Sequence, residues 1–332
     1  MNKTPRKVVV TQKFFDEAAI AHLQKHDIEV QIAKLPDNKT EAQLDLADMQ
    51  QLLAGAGGWI VGHANITRDV LAALPDLGII SRRGVGYDKV DVSAAKDMGK
   101  VVTIAAGGND ASVADQVIGM MISIGRRFKE AQDAMHENRW SILVGTELYQ
   151  KRVGIIGFGR IGRSLAKRLQ GFDADIMVCA PRLDLADVEK YGLSHVSLET
   201  VLRESDYISI HAPLNPETHH MIDADALQKM KSSAVVINTA RGGLVDDQAL
   251  LNALERNQIR GAGLDVYESE SDPSKKNLTD ALVVRHDVIA APHAGASTDE
   301  ALQRTNMIAA ICAVDVIEGR LPPKECIIVD GR

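Results

Sequence analysis

One stretch of the chain constrains its fold more than any other. Val153-Gly154-Ile155-Ile156-Gly157-Phe158-Gly159-Arg160-Ile161-Gly162 sets G-x-G-x-x-G directly after an apolar run with strand character and directly before the helical run Arg163 to Leu169. The first glycine, Gly157, permits a tight turn, the second, Gly159, lets backbone approach a pyrophosphate, and the third, Gly162, allows close packing of helix on strand. Helix-start N–H groups at Arg160 and Ile161, with the helix dipole, then suit an anion. Strand, turn and helix in this order predict a parallel sheet that binds a dinucleotide.

The next strand, Asp175 to Cys179, should end on an acid that bonds the adenosine ribose if the cofactor is NAD. Ala180 stands there instead, and Arg182 follows two positions on. A guanidinium matches a ribose 2′-phosphate with two parallel hydrogen bonds. NADP(H) is therefore the expected preference, with NAD(H) as the alternative if Arg182 is only a solvated loop residue.

The chain is 332 residues long, more than one hydrophobic core usually serves, so two domains are expected. Its first third alternates strands and helices: Lys7 to Thr11, Phe14 to Lys25, Ile28 to Ile32, then strands at Trp59-Ile60-Val61, Gly78-Ile79-Ile80 and Val101-Val102-Thr103. A single long apolar-periodic helix is read from Ala111 to about His136. A second alternating series starts at Arg152, with strand ends near Gly157, Ala180, His211, Ala240, Asp265 and His293. Thr298 to Glu318 reads as helix, and the polar stretch Glu268 to Asp280 as loop. The fold class is thus α/β, with doubly wound parallel sheets.

A formal charge of −7 argues against a nucleic-acid partner. The chain has no apolar run long enough for a membrane span, and its amino-terminal residues Met1 to Lys7 lack the apolar segment of a signal peptide. Cys179, Cys312 and Cys326 have neither disulfide-framework nor metal-ligand spacing, which fits a reducing cytoplasm. His219-His220 follows a turn-like Asn215-Pro216-Glu217-Thr218 and has no suitably spaced acidic or cysteine partner, so it reads as a surface loop and no metal is expected.

Three segments at strand ends carry polar side chains: Asn238-Thr239-Ala240-Arg241-Gly242-Gly243, Gly263-Leu264-Asp265-Val266-Tyr267-Glu268-Ser269-Glu270, and Ala291-Pro292-His293-Ala294-Gly295. Reduction of a 2-oxoacid needs a hydride, a proton for the carbonyl oxygen and a cation to hold the carboxylate. Arg241, Glu270 and His293 suit the last two tasks, because a carboxylate beside an imidazole favours the form that donates a proton.

On these motifs the chain resembles the D-2-hydroxyacid dehydrogenase family, which includes glyoxylate/hydroxypyruvate reductases, D-lactate dehydrogenases and phosphoglycerate dehydrogenases. The resemblance runs nearly end to end. It implies that Arg241 binds the substrate carboxylate and carbonyl, that Glu270 pairs with His293, and that backbone N–H groups of Val85 and Gly86 in Arg83-Gly84-Val85-Gly86-Tyr87-Asp88 hold the carboxylate. It also implies that His211, Ala212, Pro213, Thr218, Thr239 and Ala240 lie along the cofactor, with Asp265 and Gly295 near the nicotinamide.

The same resemblance implies a flavodoxin-like substrate domain from residues 1–108 and 297–332, into which a Rossmann cofactor domain of residues 109–296 is inserted. Catalysis is then expected in the cleft between them. A homodimer paired through the cofactor domains and the arm Trp140 to Leu148 is the family expectation.

The implied activity is reversible reduction of a 2-oxoacid such as glyoxylate or hydroxypyruvate to the D-hydroxyacid. Arg82 matches a phosphate-binding arginine of some phosphoglycerate dehydrogenases, but Gly62 stands where a second is expected and the chain stops at Arg332 without a regulatory domain. 3-Phosphoglycerate is therefore the second choice. Further alternatives are an NAD(H)-sensing corepressor-like module without turnover and an enzyme on a related scaffold that oxidises a non-carbon substrate such as phosphite. Ser271 departs from the family pattern, in which a proline is common.

Overall fold

The computed structural model describes residues 4–332. Met1 to Lys3, part of the stretch read for a signal peptide, lie outside the described residues. The chain forms two compact units, one from residues up to Asn109 together with Ala296–Arg332, the other from Asp110–Gly295. The strands in chain order are β1 Lys7–Val10, β2 Glu29–Ile32, β3 Gly58–Val61, β4 Ile79–Arg82, β5 Val101–Ile104, β6 Arg152–Ile156, β7 Asp175–Cys179, β8 Leu193–His195, β9 Tyr207–Ile210, β10 Val235–Asn238, β11 Gly261–Leu264, β12 Val288–Ala290 and β13 Ile327–Asp330.

In the first unit the strands run β13-β5-β4-β3-β1-β2. All pairs are parallel except β13 on β5, whose register shifts between Ile327 and Val329. The central strands are apolar and buried along their length, as a sheet covered on both faces requires. One face packs Val8, Val10 and Ile60 against Ala309, Ala310, Ala313 and Ile317 of the helix Asp299–Ile317. Small side chains let that helix lie close, and Ser81 Oγ donates to Ala309 O at 3.0 Å. Thr298 caps its start through Ala301 N. The opposite face buries Trp59, Val61, Ile66 and Leu71.

The second unit is a parallel sheet in the order β12-β11-β10-β9-β6-β7-β8. Strand order reverses between β6 and β9, so the loops after Ile156 and Ile210 leave in opposite directions and open a crevice at the carboxyl edge. Both faces are covered by separate apolar clusters. Ser112 Oγ donates to Gly295 O at 2.6 Å, which ties the two ends of this unit together.

Two expectations are corrected. The segment read as one helix to His136 is two, Asp110–Gly125 and Phe128–His136, with Arg127 in the left-handed region at φ 57°. Thr146 N donates to Gly125 O, and a Cβ at residue 125 would stand 2.5 Å from Tyr207 Oη. Distant packing ends the helix there, without the proline that would mark a break locally. The stretch Glu268 to Asp280 is not simply loop. It holds 3-10 turns at Glu268–Glu270 and Pro273–Lys275 and the start of a helix, Lys276–Val283, which buries Thr279 and Leu282.

Candidate active site

The crevice is built from three glycines with different duties. Gly157 has φ +89°, and a Cβ on it would lie 2.7 Å from the carbonyl of His211. Its N–H donates to Cys179 O at 2.8 Å. A Cβ at Gly162 would lie 2.8 Å from Gly157 O, so the helix Arg160–Leu169 can sit against the turn only without one. Around Gly159, which precedes that helix without any side-chain cap, a Cβ would meet nothing within 4 Å. The open backbone and uncapped N–H groups fit a pyrophosphate. Gly157→Ala is expected to cost about 2–4 kcal/mol of stability through strain and overlap. Gly159→Ala should leave the denaturation midpoint unchanged yet weaken nucleotide binding; urea unfolding alongside nucleotide titration separates the two.

Along the crevice, Ser209 Oγ and His211 Nε2 lie 2.8 Å apart. Desolvation pushes the His211 imidazole down to about 4, although part of the residue is exposed, so the ring is neutral near pH 7. Ala212 and Pro213 follow, and Thr218 Oγ1 donates to Pro213 O at 2.7 Å and accepts from Asn215 N at 2.9 Å. Thr218 thus shapes the loop that would face the cofactor. The buried Thr239 hydroxyl has no hydrogen-bond partner among the described residues. Ala180 closes β7 half-buried and Arg182 is exposed. His195, at the end of β8, was not singled out from sequence; its Nε2 lies 2.9 Å from Ala180 O.

Arg241, Glu270 and His293 leave the carboxyl ends of three adjacent strands, since β10 pairs with β11 and β11 with β12. His293 Nδ1 and Glu270 Oε2 are 2.7 Å apart, with side chains 33% and 34% exposed, so the pair remains reachable. His293 has φ +54°, a conformation a branched turn must hold in place. Asp265 does so. His293 N donates to Asp265 O at 2.7 Å, and its carboxylate accepts from Ala294 N at 2.7 Å, Gly295 N at 2.9 Å and Gln116 Nε2 at 3.0 Å. Asp265 is 1% exposed, so its carboxylate builds the histidine turn from beneath.

Arg241 is half-buried, and its guanidinium donates to Ala240 O at 2.7 Å. Asn238 closes the same turn, donating to Arg241 O at 2.8 Å and accepting from Ala240 N at 3.1 Å. Gly242 lets the turn approach Tyr267 O, which a Cβ would overlap. Glu270 Oε1 accepts from Tyr267 N at 2.9 Å, which orients the carboxyl toward the imidazole.

The 3-10 turn that carries Glu270 is anchored by Glu268, 5% exposed. Glu268 N donates to Asp247 Oδ2 at 3.1 Å and Asp247 N returns to Glu268 Oε2 at 3.2 Å. Burial pushes the Asp247 carboxyl up to about 6. Glu268 Oε1 takes His220 Nε2 at 2.8 Å and Lys275 Nζ at 2.5 Å. The His219-His220 pair therefore does have an acidic partner, brought from Glu268 by the fold. Donor atoms of His219, His220 and Glu268 lie within 4.8 Å of one another, but the Lys275 ammonium already supplies the cation that a metal would bring. The cluster is a brace for the Glu270 turn.

In the first unit, Val85 and Gly86 lie in a half-buried turn after β4. Ala105 N donates to Gly84 O at 2.9 Å, and Arg82, 6% exposed, donates through Nε to Gly86 O at 3.0 Å. Arg82, which matches a phosphate-binding arginine of some relatives, holds the carbonyl of this turn through its Nε.

A doubly wound unit with a dinucleotide crevice and an imidazole–carboxylate pair on neighbouring strand ends defines a nucleotide-dependent enzyme. Residues 118–295 match the family model described as D-isomer specific 2-hydroxyacid dehydrogenase, NAD binding domain. The chain is 34% identical over 304 residues to a hydroxypyruvate reductase of Thermotoga maritima, covering 91% of this chain and 95% of that one. It is 38% identical over 280 residues to a D-3-phosphoglycerate dehydrogenase of Mycobacterium tuberculosis, covering 82% of this chain and 52% of that one. Its fold is similar to the crystal structure of D-lactate dehydrogenase from Aquifex aeolicus complexed with NAD and lactic acid, at TM-score 0.83 and 27% identity over 97% of this chain and 99% of that one. The chain belongs to the D-2-hydroxyacid dehydrogenase family, and it is an oxidoreductase. No helix among the described residues is long and apolar enough to cross a membrane.

Proposed function

We propose that the protein reversibly reduces a short 2-oxoacid, of the glyoxylate or hydroxypyruvate kind, to the D-2-hydroxyacid, with NADPH preferred over NADH. The observation that carries the reading is the His293–Glu270 pair at 2.7 Å, on a strand end next to that of Arg241. A bound nicotinamide nucleotide supplies the hydride. His293, oriented by Glu270, delivers the proton to the carbonyl oxygen, and Arg241 holds carboxylate and carbonyl together through its paired N–H groups. The N–H groups of Val85 and Gly86 receive the carboxylate.

Gly157, Gly159 and Gly162, with the helix start at Arg160 and Ile161, take the pyrophosphate; His211, Ala212, Pro213, Thr218, Thr239, Ala240 and Gly295 line the remainder, with Asp265 acting from beneath. Exposed Arg182 and the absence of an acid at Ala180 support the NADP preference. Ala180→Asp is expected to swing the ratio of kcat/KM toward NADH by about tenfold or more, since a carboxylate repels the 2′-phosphate and bonds a 2′-hydroxyl. An unchanged ratio would remove Ala180 from the ribose.

Relatives that are phosphoglycerate dehydrogenases favour a phosphorylated substrate, but Gly62, where a second phosphate-binding arginine would stand, argues for smaller acids. A cytoplasmic homodimer is part of the proposal: Trp140, Ile142 and Val144 are 77%, 94% and 81% exposed, more apolar surface than an isolated arm sustains in water. Free Cys179, Cys312 and Cys326 suit a reducing compartment. The test is loss of reduced-nicotinamide absorbance with NADPH and NADH against glyoxylate, hydroxypyruvate, pyruvate, 2-ketogluconate and 3-phosphohydroxypyruvate. Turnover of the small acids supports the reading; silence on all of them, with nucleotide still bound, sinks it.

A further inference from the structure

At the carboxyl edge of the first unit's sheet, an anion supplied by the chain itself fills a place built to receive one. Glu41 is 6% exposed and opens the 3-10 turn Glu41–Gln43. Its carboxylate accepts from the Thr11 hydroxyl, Gln12 Nε2 and His63 N, and from Gly62 N at 2.9 Å. Thr11 Oγ1 is held in turn by Trp59 Nε1 at 2.9 Å. Two successive N–H groups past a strand end, joined by an amide and a hydroxyl, form an anion-binding concavity. A carboxylate withdrawn from water needs donors of this number.

The position of this cradle relative to the Val85–Gly86 turn gives it meaning. Thr11 and Gln12 follow β1, Gly62 and His63 follow β3, and Val61 pairs with Arg82 of β4. Part of the cradle therefore leaves the strand that neighbours the one leading into the turn. A 2-oxoacid gripped by that turn has two directions for its tail along the edge. Toward β5 the backbone is closed by the bond from Ala105 N to Gly84 O. Toward β3, Gly62 offers no side chain, since a Cβ there would overlap the Gln12 amide. Arg83 crosses the same edge, donating to Lys13 O at 2.6 Å.

We propose that Glu41 is a specificity-determining residue: an internal anion that occupies the cradle and so excludes 2-oxoacids with a second anionic group at the far end, leaving short neutral-tailed acids as substrates. The inference rests on the 2-oxoacid reductase reading above. It also explains why no cation is needed at position 62. The donors that would hold a distal phosphate or carboxylate already hold one, so a second anion brought beside it meets like charge at the cradle.

The experiment compares kcat/KM for hydroxypyruvate with kcat/KM for 3-phosphohydroxypyruvate and 2-oxoglutarate in wild type, Glu41→Ala, Glu41→Gln and Glu41→Asp. Wild type should favour hydroxypyruvate by about a hundredfold or more, and Glu41→Ala should shift the ratio at least about tenfold toward the anion-tailed acids, because the vacated donors accept the tail. Glu41→Gln should shift it in the same direction, and carries the test if the alanine variant does not fold. Glu41→Asp should restore the wild-type ratio. A role in folding alone would lower every substrate by one factor and leave the ratios fixed, which overturns the inference. So does a wild-type enzyme that takes the phosphorylated acid as well as hydroxypyruvate, whatever the variants do. A wild type that turns over none of these acids removes the reductase reading first, and this inference with it.

Discussion

His293→Ala is expected to lower kcat by about 10²- to 10⁴-fold, the range over which a positioned general acid acts, while nucleotide affinity stays within about twofold. The expectation follows from the separation of parts. His293 leaves the end of β12 on a turn that Asp265 builds from beneath, whereas the proposed pyrophosphate site belongs to the turn after β6. The alanine variant keeps the backbone N–H groups that Asp265 accepts, so the turn survives and only the proton source is lost. Glu270→Gln should fall between wild type and His293→Ala, because the amide keeps contact with Nδ1 but not the charge that stabilises imidazolium. Stopped-flow hydride transfer and a nucleotide titration on the same samples decide the matter. A His293→Ala enzyme with wild-type kcat would take the histidine out of the reaction.

The second large effect is at Arg241. Arg241→Ala should cost about 2–4 kcal/mol of transition-state stabilisation, roughly 30- to 700-fold in kcat/KM, if the proposed half-buried charge pair to the substrate carboxylate is what it removes. Both KM and kcat should suffer, because in the proposed role the guanidinium holds carboxylate and carbonyl together. Arg241→Lys should recover only part, as a point charge cannot reproduce the planar fork. Asn238 keeps the turn in shape through Arg241 O and Ala240 N in either variant, so a melting temperature near wild type is the control. Unchanged steady-state kinetics with the 2-oxoacid would refute the assignment.

Features carried by local spacing were legible in the chain. Gly157, Gly159 and Gly162 announce strand, turn and helix because each answers a backbone demand within a few residues. Arg241, Glu270 and His293 stood out as polar groups at strand ends. What was not legible depends on partners far apart in sequence. Gln116 reaches Asp265, Asp247 meets Glu268, and Glu41 collects donors from the ends of β1 and β3; no spacing rule joins these positions. The same holds for the break at Arg127, which follows from Thr146 and Tyr207 meeting Gly125. His220 was judged without an acidic partner because Glu268 adjoins it only in space.

The division of the first unit into two stretches of chain bears on how the protein is made. Strands β1 to β5 leave the ribosome early, but one face of their sheet is covered by the helix Asp299–Ile317, which emerges only after all of residues 110–295. Until then the nascent chain carries a bare apolar surface around Val8, Val10 and Ile60, a natural client for a holding chaperone. The inserted unit has its own core and joins its own ends through Ser112 and Gly295, so it can complete first. Once it has, the last helix is delivered across a short gap instead of a long loop, and the entropy of closing the sheet falls accordingly. A lesion that loosens residues 110–295 would therefore be felt as aggregation of the other unit.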